Sequence, residues 1–214
     1  MNGLVVTELG SKADPVRDKI EVGAVRVQRE DFVYYVLHKP RGVVSTLSDP
    51  EDRPTIKDLL PRGGERLYPV GRLDFHTSGV LLITNDGDFA NALLHPKKDV
   101  PKTYVVKVQG EMKERDLDQW RNGVNLEDGK TKPAKVSLLR YEAGKTWFEV
   151  TITEGRNQQI RRMGEATGFP VMRLARLEFS GVGAEGLAPG ACRMLTRDEL
   201  KALKRAHDVP KRIS

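Results

Sequence analysis

The run Val80-Leu81-Leu82-Ile83-Thr84 constrains this chain more than any other stretch. It is continuous and apolar, and Asn85-Asp86-Gly87 closes it with a turn signal. A short apolar run bounded in this way reads as a strand buried on both faces. A second apolar, strand-like segment, Leu67 to Leu73, precedes it, and the polar loop Phe75-His76-Thr77-Ser78-Gly79 lies between. Asp74 therefore sits on a loop tied at both ends to the core of a sheet. A lone carboxylate there needs a partner, because its charge is costly to desolvate. On residue pattern alone the stronger reading is that Asp74 caps its own loop, since Asp-x-x-Thr/Ser is ordinary turn chemistry.

The rest of the chain alternates hairpins with single helices. Leu4-Val5-Val6 and Ile20-Glu21-Val22 read as short strands, too little apolar material for an independent domain. FVYYVLHKP, from Phe32, is a strand ending at a turn with the basic pair Lys39 and Arg41, which read equally well as a solvated loop or a phosphate contact. Ile56 to Leu60 is a short helix stopped by Pro61, and Asp88 to His95 a helix with Asp88 as its N-cap. Thr103 to Val108 is a strand whose Tyr104, Val106 and Val108 share one face, so Tyr104 reads as a core tyrosine. Glu114 to Arg121 is helical, and Asp128-Gly129 is a hairpin turn. Ala134 to Tyr141 pairs with Thr146 to Thr153 around Gly144. A helix over Asn157 to Thr167, strands over Val171 to Phe179 and Ala191 to Leu195, and a helix opened by the capping box Thr196-Arg197-Asp198-Glu199 complete the chain. This pattern predicts an α+β fold rather than a doubly wound sheet.

The charge balance, 36 Lys and Arg against 30 Asp and Glu, leaves +6 over 214 residues and fits a polyanionic partner. Arg156, Arg161, Arg162, Arg173 and Arg176 fall close together, and seven more cations crowd the C-terminus, including Lys211 and Arg212. Arginine forks suit phosphate. The single Cys192 excludes an intramolecular disulfide and a cysteine zinc cluster, and points to a reducing cytoplasm. No apolar run is long enough for a membrane span, and no signal peptide opens the chain.

The stretch Gly71-Arg72-Leu73-Asp74-Phe75-His76-Thr77-Ser78-Gly79-Val80-Leu81-Leu82-Ile83-Thr84-Asn85-Asp86-Gly87 closely resembles the catalytic motif of the pseudouridine synthases that modify ribosomal RNA, the RsuA/RluB branch. Three further stretches agree in the family's order: Lys39-Pro40-Arg41-Gly42-Val43-Val44-Ser45-Thr46, Lys102-Thr103-Tyr104, and Glu154-Gly155-Arg156-Asn157-Gln158-Gln159-Ile160-Arg161-Arg162-Met163. The resemblance covers about Phe32 to Ala206. It implies a catalytic domain over 32–206, with a large mixed, mostly antiparallel sheet and flanking helices around an RNA-binding cleft. Residues 1–31 resemble the end of an S4-type RNA-binding domain lacking its two opening helices, and 207–214 is a basic tail. The resemblance further implies ribosomal RNA or a pre-ribosomal particle as partner, the large subunit favoured, a monomer, no metal and no cofactor.

Pseudouridine formation breaks the glycosidic bond to uracil, turns the base and rejoins it to ribose through a ring carbon. Substrate and product are isomers, so a carboxylate in a dry pocket suffices, acting as nucleophile or as base. By resemblance Asp74 is that carboxylate, and Tyr104 packs on the target base and assists the final proton removal. An ionised buried aspartate calls for a cation beside it. In the helix from Asn157, Arg161 lies about 100° from Ile160 and flanks the core, while Arg162 lies nearly opposite. Arg161 is the candidate partner, which the resemblance also implies, and Arg162 faces solvent or RNA. Arg72, Thr77 and Ser78 shape the loop or hold a phosphate, and Lys39, Arg41 and Arg156 are further RNA contacts. The main rival is a catalytically inactive RNA-binding protein of the same fold. A metal-dependent phosphodiesterase built on Asp74, Asp86 and Asp88 is weaker, because Asn85-Asp86-Gly87-Asp88 reads more simply as a turn and cap. A zinc base deaminase is excluded by the single cysteine and the lack of His-x-Glu.

Overall fold

The structure, a computed structural model, describes residues 1–14, 17–27, 30–61, 63 and 66–209. It divides into two units, Met1–Phe32 and Val33–Ser214. In the first, β1 (Glu21–Val22) and β2 (Val25–Arg26) form a two-residue antiparallel pair. Leu4, Val5, Leu9, Val22 and Val25 are all exposed, so this unit buries little apolar surface. Leu4-Val5-Val6, expected as a strand, is irregular.

The second unit is built on one mixed sheet. Its strands are β3 (Tyr34–Lys39), β4 (Tyr68–Pro69), β5 (Ser78–Thr84), β6 (Lys102–Gln109), β9 (Lys135–Tyr141), β10 (Lys145–Ile152), β11 (Val171–Phe179), β12 (Val182–Gly183) and β13 (Cys192–Met194). A separate two-residue hairpin, β7 (Asn125–Leu126) and β8 (Gly129–Lys130), turns at Asp128 as the sequence predicts. The main order is β13-β3-β5-β11-β6-β10-β9, with β4 on β5 and β12 on β11. Every pairing is antiparallel except β5 with β11, which run parallel. Helices α1 (Gly87–Leu94), α2 (Glu114–Asn122), α3 (Gln159–Ala166) and α4 (Arg197–Ala206) flank the sheet.

The run that dominates the sequence is the centre of this sheet. In β5, Gly79 to Thr84 are all buried between β3 and β11. Its parallel contact with β11 is two residues long, Ser78 opposite Ala175 and Gly79 opposite Arg176. Gly79 has φ +111°, and a Cβ there would lie 2.0 Å from the Arg176 carbonyl oxygen. Only glycine lets the two backbones meet.

Three expectations change. The segment Leu67 to Leu73 is a strand only over Tyr68–Pro69, with one further bond from the Val70 N–H to the Leu82 carbonyl at 2.8 Å before Gly71 turns the chain at φ +74°. The N-cap of α1 is Asp86, not Asp88: its carboxylate accepts from the Phe89 N–H and from the Tyr34 hydroxyl. The stretch Ile56–Leu59 is a 3-10 turn. The capping box of α4 forms as expected, Thr196 and Glu199 bonding each other's backbone N–H. The basic tail beyond Val209 lies outside the described residues.

Candidate active site

Asp74 precedes β5 on a turn closed by backbone alone: the Thr77 N–H donates to the Asp74 carbonyl at 2.9 Å. The carboxylate takes no part, and among the described residues it receives no hydrogen bond and forms no ion pair. The loop-capping reading of Asp74 therefore fails. The turn has no need of the side chain, which is left half-buried at the edge of a cleft of about 290 Å³.

One other motif stretch, Lys39 to Thr46, fastens this turn from below. Lys39 ends β3 fully buried, with its ammonium donating to the carbonyls of Pro40, Asp74 and Thr77 at 3.0, 3.2 and 2.8 Å. Burial pulls its pKa down to about 8, against the attraction of Asp74 and with the repulsion of Arg176. Lys39 is thus a fastener of the loop rather than the RNA contact expected from the sequence: none of its surface is exposed. Ser45 donates its hydroxyl to the Leu73 carbonyl at 2.8 Å and accepts from the Leu73 N–H. The Gly42 N–H reaches the Phe75 carbonyl at 2.8 Å, which leaves Arg41 exposed on the turn. Arg72 is also exposed and lines the cleft, Thr77 is buried beneath it, and Ser78 opens β5 half-buried.

Strands β6 and β11 make the floor. Tyr104, 8% exposed, lies directly opposite Arg176 across the pair, and both line the cleft with Asp74. Arg176 is 3% exposed. Its Nε donates to the Val80 carbonyl at 2.7 Å and its Nη1 to the Tyr104 hydroxyl at 3.4 Å. Lys102, two residues before Tyr104 on the same face, also lines the cleft and donates to the Val100 carbonyl. Burial brings its pKa down to about 8, with Arg176 adding to the shift.

Arg161 is not where the sequence put it. Its guanidinium makes two long contacts, to the Val171 carbonyl at 3.4 Å and the His76 carbonyl at 3.5 Å, and no ion pair joins it to Asp74 among the described residues. It touches the Asp74 loop through its backbone. Arg162 leaves α3 in another direction, as its helical phase predicts, but it is held by the Asp128 carboxylate rather than facing open solvent. Arg156 is tied more fully still, to Glu154, to the Asp128 carboxylate and to the carbonyls of Asp128, Gly129 and Lys130. Both arginines clasp the β7–β8 hairpin to the rim.

The sequence reading missed Arg176 and Lys102 as parts of the site. A signal existed: in β11 Arg176 alternates with the apolar Leu174, and in β6 Lys102 alternates with Tyr104.

Known proteins resemble this chain over most of its length. Residues 33–166 match the family model described as RNA pseudouridylate synthase. A ribosomal large subunit pseudouridine synthase B of Bacillus subtilis (strain 168) is 47% identical over 210 residues, 97% of this chain and 86% of that protein. An uncharacterized RNA pseudouridine synthase of Aquifex aeolicus (strain VF5) is 39% identical over 207 residues, 96% of this chain and 83% of its own length. Among solved structures, a pseudouridylate synthase at 32% identity superposes with a TM-score of 0.75 over 94% of this chain and 86% of that one.

Proposed function

The chain belongs to the RNA pseudouridylate synthase family, and from that premise we propose that it isomerises a uridine of large-subunit ribosomal RNA to pseudouridine with Asp74 as the reacting carboxylate. The observation that carries this reading is the Asp74 turn: backbone closes it, and the side chain is left without a partner among the described residues, over a cleft floored by Tyr104. A carboxylate without structural work, held in place by Lys39 and Ser45, is organised in advance for attack on the sugar or for removal of a sugar proton. Tyr104 gives the flipped base a surface to stack on. Arg161 steadies the loop at His76, while Arg41, Arg72, Thr77 and Ser78 contact RNA or shape the turn.

Supporting an RNA substrate are the +6 charge and the exposed Arg41 and Arg72 beside the cleft. No helix among the described residues is long and apolar enough to cross a membrane. We read the protein as a cytoplasmic monomer acting on ribosomal RNA or a pre-ribosomal particle, without metal or cofactor. Residues 1–31 are read as the end of an S4-type domain, which the division of the chain at Phe32 supports.

The test is conversion of uridine to pseudouridine in transcribed large-subunit ribosomal RNA, read by nucleoside analysis. Turnover by the wild type and background conversion by a folded Asp74→Asn variant are expected. Measurable turnover by Asp74→Asn would end the assignment, and binding without turnover by the wild type would favour the inactive RNA-binding rival.

A further inference from the structure

The floor of the cleft holds a charge that no carboxylate among the described residues pairs with. A guanidinium keeps its proton at any ordinary pH. That of Arg176 is buried, and no carboxylate lies within ion-pair distance of it among the described residues. Its Nε has a carbonyl and its Nη1 a long bond to Tyr104, but Nη2 is buried with no partner. Its Cζ also lies over the Phe179 ring, 5.1 Å from the centroid. An uncompensated buried cation is strongly unfavourable. Thr77 Oγ1, on the Asp74 turn, is likewise buried and unpartnered. Among the described residues three side-chain polar atoms are in that state, and these two belong to residues lining this one cleft. Violations gathered at one place mark a site that awaits its ligand.

What would satisfy Arg176 follows from the chemistry, given the uridine isomerisation proposed above. Uridine enters neutral. When the N1–C1′ bond breaks, its electron pair stays on the ring and spreads over N1, O2 and O4, so uracil becomes an anion while Asp74 meets the electron-deficient sugar. No proton need move to the ring at that step. A base stacked on Tyr104 lies beside the guanidinium that sits directly across the strand pair from that tyrosine. We propose that Arg176 is a further catalytic residue, whose Nη2 donates to a ring carbonyl and holds the uracil anion between bond breaking and rejoining. A fixed cation placed where charge develops favours the transition state over the neutral ground state. Nη1 keeps the Tyr104 hydroxyl in place through the turning of the base.

The test uses the full chain under single-turnover conditions with transcribed large-subunit ribosomal RNA, made once with uridine and once with 5-fluorouridine. The fluorine withdraws electrons and makes the ring a better leaving group, so it lessens the need for a cation. Arg176→Gln is expected to slow consumption of the target uridine by about 10²–10³-fold, the size of a lost oxyanion-type donor, with RNA affinity changed by less than about three-fold. With 5-fluorouridine the deficit should shrink by about ten-fold or more. Arg176→Lys, which keeps the charge, should lie between, and it carries the comparison if Arg176→Gln does not fold. Equal deficits on both RNAs, as pairing with Asp74 or mere packing would give, overturn the proposal, and so does a loss confined to affinity. A wild type that converts neither RNA overturns the isomerase reading itself, whereas an active wild type matched by Arg176→Gln overturns only the role of Arg176.

Discussion

The rim and the floor of the cleft hold their cations in opposite ways. On the rim, Arg156 and Arg162 share the Asp128 carboxylate, and Arg156 adds Glu154 and three carbonyls. On the floor, Lys102 donates to the Val100 carbonyl and lies over the Phe179 ring, and Arg176 has one carbonyl, one hydroxyl and an Nη2 without a partner, with no carboxylate paired to either among the described residues. Rim charges are neutralised and serve to hold a hairpin. Floor charges are left over, pointing to a negative charge that arrives from outside. The number of arginines near a cleft therefore says less about its chemistry than whether each has a carboxylate.

The largest contrast should come from glycines. Gly79 lets the floor strands meet, and Gly129 turns the rim hairpin at φ +103° with nothing within 4 Å of an added Cβ. Gly79→Ala forces a methyl into the Arg176 carbonyl and is expected to destabilise by more than about 4 kcal/mol or to prevent folding. Gly129→Ala meets only backbone strain, about 1–2 kcal/mol. Denaturant unfolding of the two variants measures the difference, and comparable losses would mean the floor is looser than its geometry.

Next in size is the pair on α3. Arg161→Ala removes a contact to the Asp74 loop, while Arg162→Ala removes a clasp on the hairpin. A loss of turnover of about ten-fold or more for the first is expected, because small shifts of a reacting group are expensive. For the second, a change within about three-fold is expected, since it moves no reacting group. Equal effects would erase the functional line drawn between loop and rim.

Asp128→Asn probes the rim from the other side. It frees Arg162 from its carboxylate, while Arg156 stays tied to Glu154 and to three carbonyls, so RNA binding should tighten a few-fold at low salt, and the plot of log affinity against log salt should steepen by about one unit. An unchanged salt slope would show that Arg162 faces no phosphate even when released.

What the sequence made legible was local. The β5 run, the 128–129 turn and the Thr196 capping box each announce themselves within a few residues, and each formed. The cap of α1 misled because two aspartates, Asp86 and Asp88, compete within three positions, and the Tyr34 hydroxyl that favours Asp86 comes from 52 residues away. The buried cations were harder for one physical reason. Lys39, Lys102 and Arg176 sit two residues from Leu37, Tyr104 and Leu174, on inward faces of strands, whereas charge in a sequence is ordinarily read as surface. Arg176 was grouped with the phosphate-binding arginines for this reason. Asp74 was singled out by its loop, but pattern could not tell a capping aspartate from a reacting one. The backbone bond from Thr77 to Asp74 is what separates them.

The smallest effect is the one that pH reveals. Burial lowers Lys102 and Lys39 to about 8, while an unfolded chain holds such protons to about 10.4. Below pH 8 both states are protonated, and the folded state bears the full penalty of burying the charge. Between about 8 and 10.4 the folded chain has released protons that the unfolded chain still binds, so these lysines make stability rise with pH in that window. Lys102→Met keeps the stem and removes the charge. It should stabilise the protein at pH 7 by no more than about 1 kcal/mol, because water in the cleft screens the ammonium, and the advantage should fade by pH 9.5. Denaturant midpoints of the wild type and Lys102→Met at the two pH values measure it. The same substitution at the exposed Lys132, Lys132→Met, removes a lysine already paired with Asp99 and should show no gain at either pH. If Lys102→Met instead destabilises at pH 7, the Lys102 ammonium is held by more than the Val100 carbonyl, and the division between neutralised rim and unneutralised floor would narrow to Arg176 alone.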